Sequence, residues 1–182
     1  MILYDKINVI DIEATCWETD EEKQLYQSEI IEIGICKLVI ATGKIEDKKS
    51  FFVKPEKSEV SPFCTQLTGI TKEKLDTEGI PLAQALKKID SKYSAKYRTF
   101  ASYGAFDKEI IESECLSKGI VNPFRNDFIN IKTLFSLVYQ QEKSYGLLKE
   151  LELIGETFEG VNHNGADDAY NAAKLLLKIL KK

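Results

Sequence analysis

The sequence predicts an α/β domain built on a mixed β-sheet, three antiparallel strands first and parallel additions after them, flanked by α-helices. Three observations carry that expectation. Runs rich in β-branched residues, separated by compact turns, fill the N-terminal third. Beyond Pro55 the apolar spacing becomes helical. A short apolar segment, Arg98 to Tyr103, then interrupts the helical stretches as one further strand.

Lys6 to Thr15 reads as the first strand, with Ile7, Val9 and Ile12 among its β-branched residues. Ile30 to Ile40 is the second, Ala41-Thr42-Gly43 a tight turn, and Lys44 to Val53 the returning third strand, stopped before Pro55. Thr71 is placed to cap a helix entering at Lys72. Pro81 suits a first helical turn, after which Leu82, Ala85, Leu86, Ile89 and Tyr93 keep helical spacing. Phe106 to Lys118 is helical and closes at Gly119, a common stop residue. Gly119 to Asn130, with Asn122-Pro123 and Asn126-Asp127, reads mostly as loop. Ile131 to Gln141, Tyr145 to Ile154 and Ala166 to Leu180 complete the helices. No repeat or linker divides the chain, so residues 1–182 are expected to form a single domain.

Composition excludes several classes. The net charge is −4, with 25 basic and 29 acidic residues, and basic runs such as Lys48-Lys49 reach only two residues. A basic stripe that grips long duplex is therefore not visible in the sequence, and a nucleic-acid ligand would have to be held locally, at a chain end. Cys16, Cys36, Cys64 and Cys115 show no CxxC spacing, which argues against a zinc site and suits a reducing cytoplasm. The start Met-Ile-Leu-Tyr-Asp-Lys lacks the order of a signal peptide, and no apolar run is long enough to span a bilayer. A cytoplasmic protein without membrane attachment is expected.

Chemistry-bearing residues recur at strand and helix ends. Asp11 and Glu13 flank Ile12 at the end of the first strand, so both project from one face, roughly 7 Å apart at the backbone. Asp107 opens a helix after the fourth strand. His163, the sole histidine, lies in the polar segment Val161-Asn162-His163-Asn164-Gly165, with four residues between it and Asp168 in a helical first turn. Asp167 is accounted for by helix-terminal electrostatics. Each residue alone is commonly a solvated acid or a surface histidine; their combination and order are specific.

That order resembles the DEDDh 3′-to-5′ exonucleases of the ribonuclease-H-like superfamily. Asp11-Ile12-Glu13-Ala14-Thr15 resembles their first motif, Ser102-Tyr103-Gly104-Ala105-Phe106-Asp107 the second, with Tyr103 where the family often has Trp, and His163-Asn164-Gly165-Ala166-Asp167-Asp168-Ala169 the third. Phe63-Cys64-Thr65-Gln66-Leu67-Thr68-Gly69-Ile70-Thr71 is similar to a segment of the branch that holds histone-mRNA 3′-end exonucleases, exonucleases that damp RNA interference, and sporulation-linked bacterial relatives. The resemblance implies a ribonuclease-H-like sheet and a catalytic set of Asp11, Glu13, Asp107, His163 and Asp168. The four acids would hold two divalent ions, Mg²⁺ or Mn²⁺, with Asp11 between them. His163 would take the proton of the attacking water. Phe63 and Phe106 would flank the terminal base, Leu67 would add an apolar contact, and the backbone at Ala14 and Thr15 would meet the terminal hydroxyl. The implied partner is a single-stranded 3′ end, RNA ahead of DNA. Two other readings keep the same fold: a silent nucleic-acid-binding regulator, which the filled catalytic positions disfavour, and a DNA-proofreading exonuclease, which the Phe63 to Thr71 segment disfavours.

Overall fold

A computed structural model describes residues 2–125 and 127–182; Asn126, half of the expected Asn126-Asp127 turn, and Met1 lie outside the described residues. Strands β1 (Leu3–Ala14), β2 (Ile30–Val39) and β3 (Ile45–Phe52) form the antiparallel meander. β4 (Arg98–Ser102) joins β1 in parallel and β5 (Phe128–Asn130) joins β4 in parallel, giving the order β3-β2-β1-β4-β5. The expected mixed sheet is present. The helices are α1 (Asp20–Leu25), α2 (Pro62–Thr68), α3 (Lys72–Glu78), α4 (Leu82–Tyr93), α5 (Phe106–Lys118), α6 (Ile131–Val138), α7 (Leu147–Leu153) and α8 (Gly165–Leu180).

Three elements depart from the sequence-based expectation. β5 falls in the segment read as loop, because three residues show no periodicity of their own. It is held by pairing with β4, where Phe128 stands opposite Phe100 with ring centroids 5.0 Å apart. α1 and α2 are too short for a periodic signal but are locally specified. Thr19 and Glu22 form a capping box on α1, and Ser61 caps α2 with Pro62 in its first turn.

Alternation along β1 divides the core. Ile10, Ile12 and Ala14 pack with α4 and α5 through Leu82, Leu86, Ile89 and Ile111. Ile7 and Val9 pack on the other face with α6 and α8 through Phe135, Ala169, Ala173 and Leu176. Asp11 and Glu13 continue this second parity, so the strand delivers them to the α8 side as it leaves the core. α8 meets the sheet at van der Waals limit. Gly34 on β2, opposite Asp11, would place a Cβ 1.9 Å from the carbonyl carbon of Gly165.

On β3, Asp47 and Lys48 together oppose the single Cys36, because the pairing shifts between Ile35–Lys49 and Lys37–Glu46. Asp47 takes a left-handed backbone there, with φ of 57°. This bulge precedes the stretch in which Lys49 and Phe51 face α4 and Lys48 and Ser50 face α8.

At the start of β2 a buried ion cluster ties the sheet to α5. Lys118 lies 2.9 Å from Glu29 and 2.8 Å from Glu114, while Glu114 accepts the Ile30 N–H at 2.8 Å. Burial alone would raise the Glu29 carboxyl, but the Lys118 ammonium and the N–H groups of Lys57, Ser58 and Glu56 hold it down to about 2. Its folded value is below the ordinary 4.5, so this stabilisation is complete above that pH and is lost as pH falls toward 2.

Two outcomes are expected in urea unfolding. Gly34→Ala should destabilise by about 3 kcal/mol or more, since backbone sits in the way of the new methyl, whereas Gly146→Ala, with open space around it, should be near neutral. Lys118→Met should cost roughly 3 kcal/mol near neutral pH by leaving two buried carboxylates with backbone N–H groups but no cation, with the difference narrowing in acid.

Candidate metal centre and catalytic cleft

The cleft opens where β1 ends. From that end Asp11 and Glu13 leave the sheet, and the first turn of α8, seated on Gly34, brings Asp168 over them. One carboxylate oxygen from each of Asp11, Glu13 and Asp168 lies within 4.8 Å of the other two. Asp107, in the first turn of α5, is buried and accepts the Ile12 N–H at 2.8 Å, so it is moored to the β1 backbone between Asp11 and Glu13. It lines the same cleft of about 400 Å³ without being one of the converging three. His163 stands exposed at the rim, on a left-handed backbone with φ of 64°. A non-glycine residue in that conformation is strained by about 1 kcal/mol, and the fold sustains it at the rim of the cleft.

Asn164 caps α8, its side-chain oxygen accepting the Asp167 N–H at 3.2 Å. Asp167 faces away from the cluster. It pairs with Lys48 at 2.6 Å and accepts the Val161 N–H at 2.8 Å, which separates the two adjacent acids by role.

The carboxyls repel one another in a desolvated place. Burial, then the charges of Asp168, Glu32 and Asp107, push Glu13 up to about 8. Burial raises Asp168 to about 7 against the opposing N–H groups of His163 and Asn164. Asp107 rises to about 6, burial outweighing its hydrogen bonds from Ile12 and Ser102. Asp11 is driven well above the usual carboxylate range by burial and by all its acidic neighbours. Asp168 also keeps Oδ2 enclosed with no hydrogen-bond partner. An oxygen-only donor set with surplus negative charge and an unused buried oxygen fits a hard divalent cation.

Sequence reasoning missed Glu32. It sits directly opposite Glu13, fully buried, accepting the Gly165 N–H at 3.2 Å and the Ser50 hydroxyl. It therefore latches the head of α8 to β2. The available signal was a charged residue inside the apolar run Ile30-Ile31-Glu32-Ile33. Tyr103, Leu147 and Leu148 also line the cleft, and Tyr103 donates its hydroxyl to the Tyr145 carbonyl at 2.8 Å, bracing the wall before α7.

Of the expected substrate contacts, Phe106 is 55% exposed and lines the cleft. Phe63 and Leu67 lie on α2, outside the lining residues, the former half-buried and the latter exposed. Thr15 is buried; its N–H is donated to the Glu29 carbonyl at 2.9 Å and its hydroxyl accepts the Glu29 N–H at 2.9 Å. The Ala14 carbonyl accepts the Cys64 thiol at 3.5 Å.

Comparison with known proteins follows the same lines. The exonuclease model RNase_T matches residues 8–176. ERI1 exoribonuclease 2 of Mus musculus is 32% identical over 98% of this chain and 29% of its own length. The 3′-5′ exoribonuclease 1 of Mus musculus is 32% identical over 98% of this chain and 54% of its own. The chain thus spans about a third to a half of these relatives. The solved nuclease domain of 3′hExo, a DEDDh family member bound to rAMP, superposes with a TM-score of 0.87 at 30% identity, covering 98% of this chain and 92% of that one.

The raised carboxyls have a thermodynamic signature. The unfolded chain releases these protons first, so the metal-free protein should lose stability as pH rises from about 4 toward 8. Mg²⁺ or Mn²⁺ added at pH 8 should raise the melting temperature and release protons in unbuffered titration, with a much smaller shift at pH 5. An identical shift at both pH values would contradict this account.

Proposed function

The chain belongs to the RNase_T exonuclease family, and from that premise we propose that it is a metal-dependent 3′-to-5′ exonuclease. Residues 1–182 would form one such domain, hydrolysing phosphodiester bonds at single-stranded 3′ ends, RNA ahead of DNA, with release of nucleoside 5′-monophosphates. The observation that carries this reading is the meeting of Asp11, Glu13 and Asp168 in a cleft that also holds Asp107 and His163. The preference for RNA leans on the exoribonuclease relatives and on the rAMP-bound neighbour.

Asp11, Glu13 and Asp168 would hold divalent ions, Mg²⁺ or Mn²⁺, with Asp107 supporting a second. When bound, two such ions offset the negative charge that gathers on the attacking and leaving oxygens of a phosphodiester. His163, exposed at the rim of the same cleft, would accept the proton of the attacking water. Asp107 orients through the β1 backbone, and Glu32 keeps Asp168 over the strand by holding Gly165. Phe106 offers an exposed ring on which a terminal base can stack without regard to sequence. Phe63 and Leu67 are assigned to the base from the α2 side, and the Ala14–Thr15 segment to the terminal hydroxyl. A cytoplasmic setting is proposed on the strength of four free cysteines. Among the described residues no helix is long and apolar enough to cross a membrane.

A time course on labelled single-stranded RNA and DNA, each with a free or blocked 3′ end, tests the assignment. Stepwise mononucleotide release from the free end, abolished by blocking or by EDTA, is expected; no release from either polymer with Mg²⁺ or Mn²⁺ would end it. His163→Asn should keep the fold and the metal-induced shift in melting temperature while losing about 10²–10⁴-fold in turnover. Wild-type turnover in that variant would remove the imidazole from the reaction.

A further inference from the structure

The chain carries net negative charge and no basic run longer than a pair, yet folding collects four lysines in one groove. Lys49 of β3 and Lys87, Lys88 and Lys92 of α4 line a depression of about 610 Å³, and no carboxylate is among its lining residues. The groove lies on the α4 side of the sheet and runs along the β3 edge. That edge strand links it to the cleft: Lys49 faces the groove, Lys48 reaches Asp167, and Ser50 reaches Glu32 behind α8.

Several lysines of other helices are matched within their own helix, although Lys74 of α3 and Lys132 of α6 make no ion pair among the described residues. Lys23 pairs with Asp20, Lys72 with Asp76, Lys108 with Glu112 and Lys149 with Glu152, each within one turn. On α4 the residues one turn before Lys87 and Lys88 are Ala83 and Gln84, and Lys88 and Lys92 form a like-charged i,i+4 pair, which destabilises a helix. Lys92 comes within 3.6 Å of Asp47, an acid already 2.9 Å from Lys37. Among the described residues Lys49, Lys87 and Lys88 make no ion pair. Lys92 shares Asp47 with Lys37, and Asp90 of α4 pairs with Lys96, so three of the four groove lysines are left without an ion-pair partner among the described residues.

We propose that this groove binds the phosphate backbone of the nucleic-acid strand upstream of the 3′ end, the strand passing over β3 from cleft to groove. The proposal rests on the exonuclease reading. Ammonium groups on flexible stems take phosphates without reading bases. Phe51 beneath them is buried, so the groove offers no stacking face. The contact adds affinity for strands long enough to reach it and leaves the chemistry untouched.

The test compares the full chain with a Lys87→Ala/Lys88→Ala/Lys92→Ala variant. All three positions are exposed on a helix, where alanine favours the native conformation. Fluorescence anisotropy in EDTA, over a range of salt, measures binding of a short RNA that fills only the cleft and of a long single strand. The variant should bind the long strand roughly tenfold more weakly, with a log affinity against log salt slope shallower by about 2, and bind the short one as wild type does. In turnover, KM should rise for the long strand alone and kcat should not change. Equal affinity and slope on the long strand would overturn the proposal, as would an equal loss on the short RNA. Polyglutamate competing as well as RNA would assign the groove to an acidic protein and also overturn it. Binding is read without turnover, so failure of the exonuclease reading would show separately, as absent mononucleotide release with the groove's effect intact.

Discussion

The contact between Gly34 of β2 and Gly165 at the head of α8 sets the geometry of everything near the cleft. With no side chain on either residue, backbone meets backbone, and the first turn of α8 lies close enough for Asp168 to reach the acids of β1. Any Cβ at Gly34 would lift the helix off the strand and carry Asp168 with it. Glu32 adds the matching polar latch by taking the Gly165 N–H. Packing and hydrogen bonding thus fix one helix terminus from two sides, and three carboxylates meet as a result.

Such a meeting is unfavourable by itself. Desolvation and mutual repulsion raise Asp11, Glu13, Asp107 and Asp168 together, so the apo-protein relieves the strain by holding protons. The acids gathered at the start of β2 are, by contrast, compensated. Glu29 and Glu114 share Lys118, and Glu29 takes three backbone N–H groups besides. The compensated cluster and the acidic cleft share one end of the sheet, where the start of β2 pairs with the end of β1, and only the acids of the cleft are left open to a cation.

Much of this was legible in the sequence, because the informative signals are local. Strand parity put Asp11 and Glu13 on one face, Gly119 ended α5 as expected, and the order of acids and histidine pointed to a DEDDh exonuclease. Glu32 escaped because its role depends on a helix arriving from more than a hundred residues away. β5 escaped because three residues become a strand only when β4 is beside them. The lysine groove escaped for the same reason: β3 and α4 are separated in sequence, and pairs of lysines read singly look like ordinary surface. Phe63 and Leu67 show the converse limit, since resemblance names their positions but α2 keeps them outside the cleft lining.

The bulge in β3 has a bearing on how copies of this chain behave toward one another. An outermost strand exposes a free row of amide and carbonyl groups, a template for pairing with another molecule. Here Asp47 and Lys48 crowd opposite one residue, breaking the regular ladder, and the rim is densely charged through Glu46, Asp47, Lys48 and Lys49. A second β3 approaching in antiparallel fashion would meet a misaligned ladder and would have to desolvate a row of charged side chains. The open side of the sheet is thereby guarded against edge-to-edge aggregation.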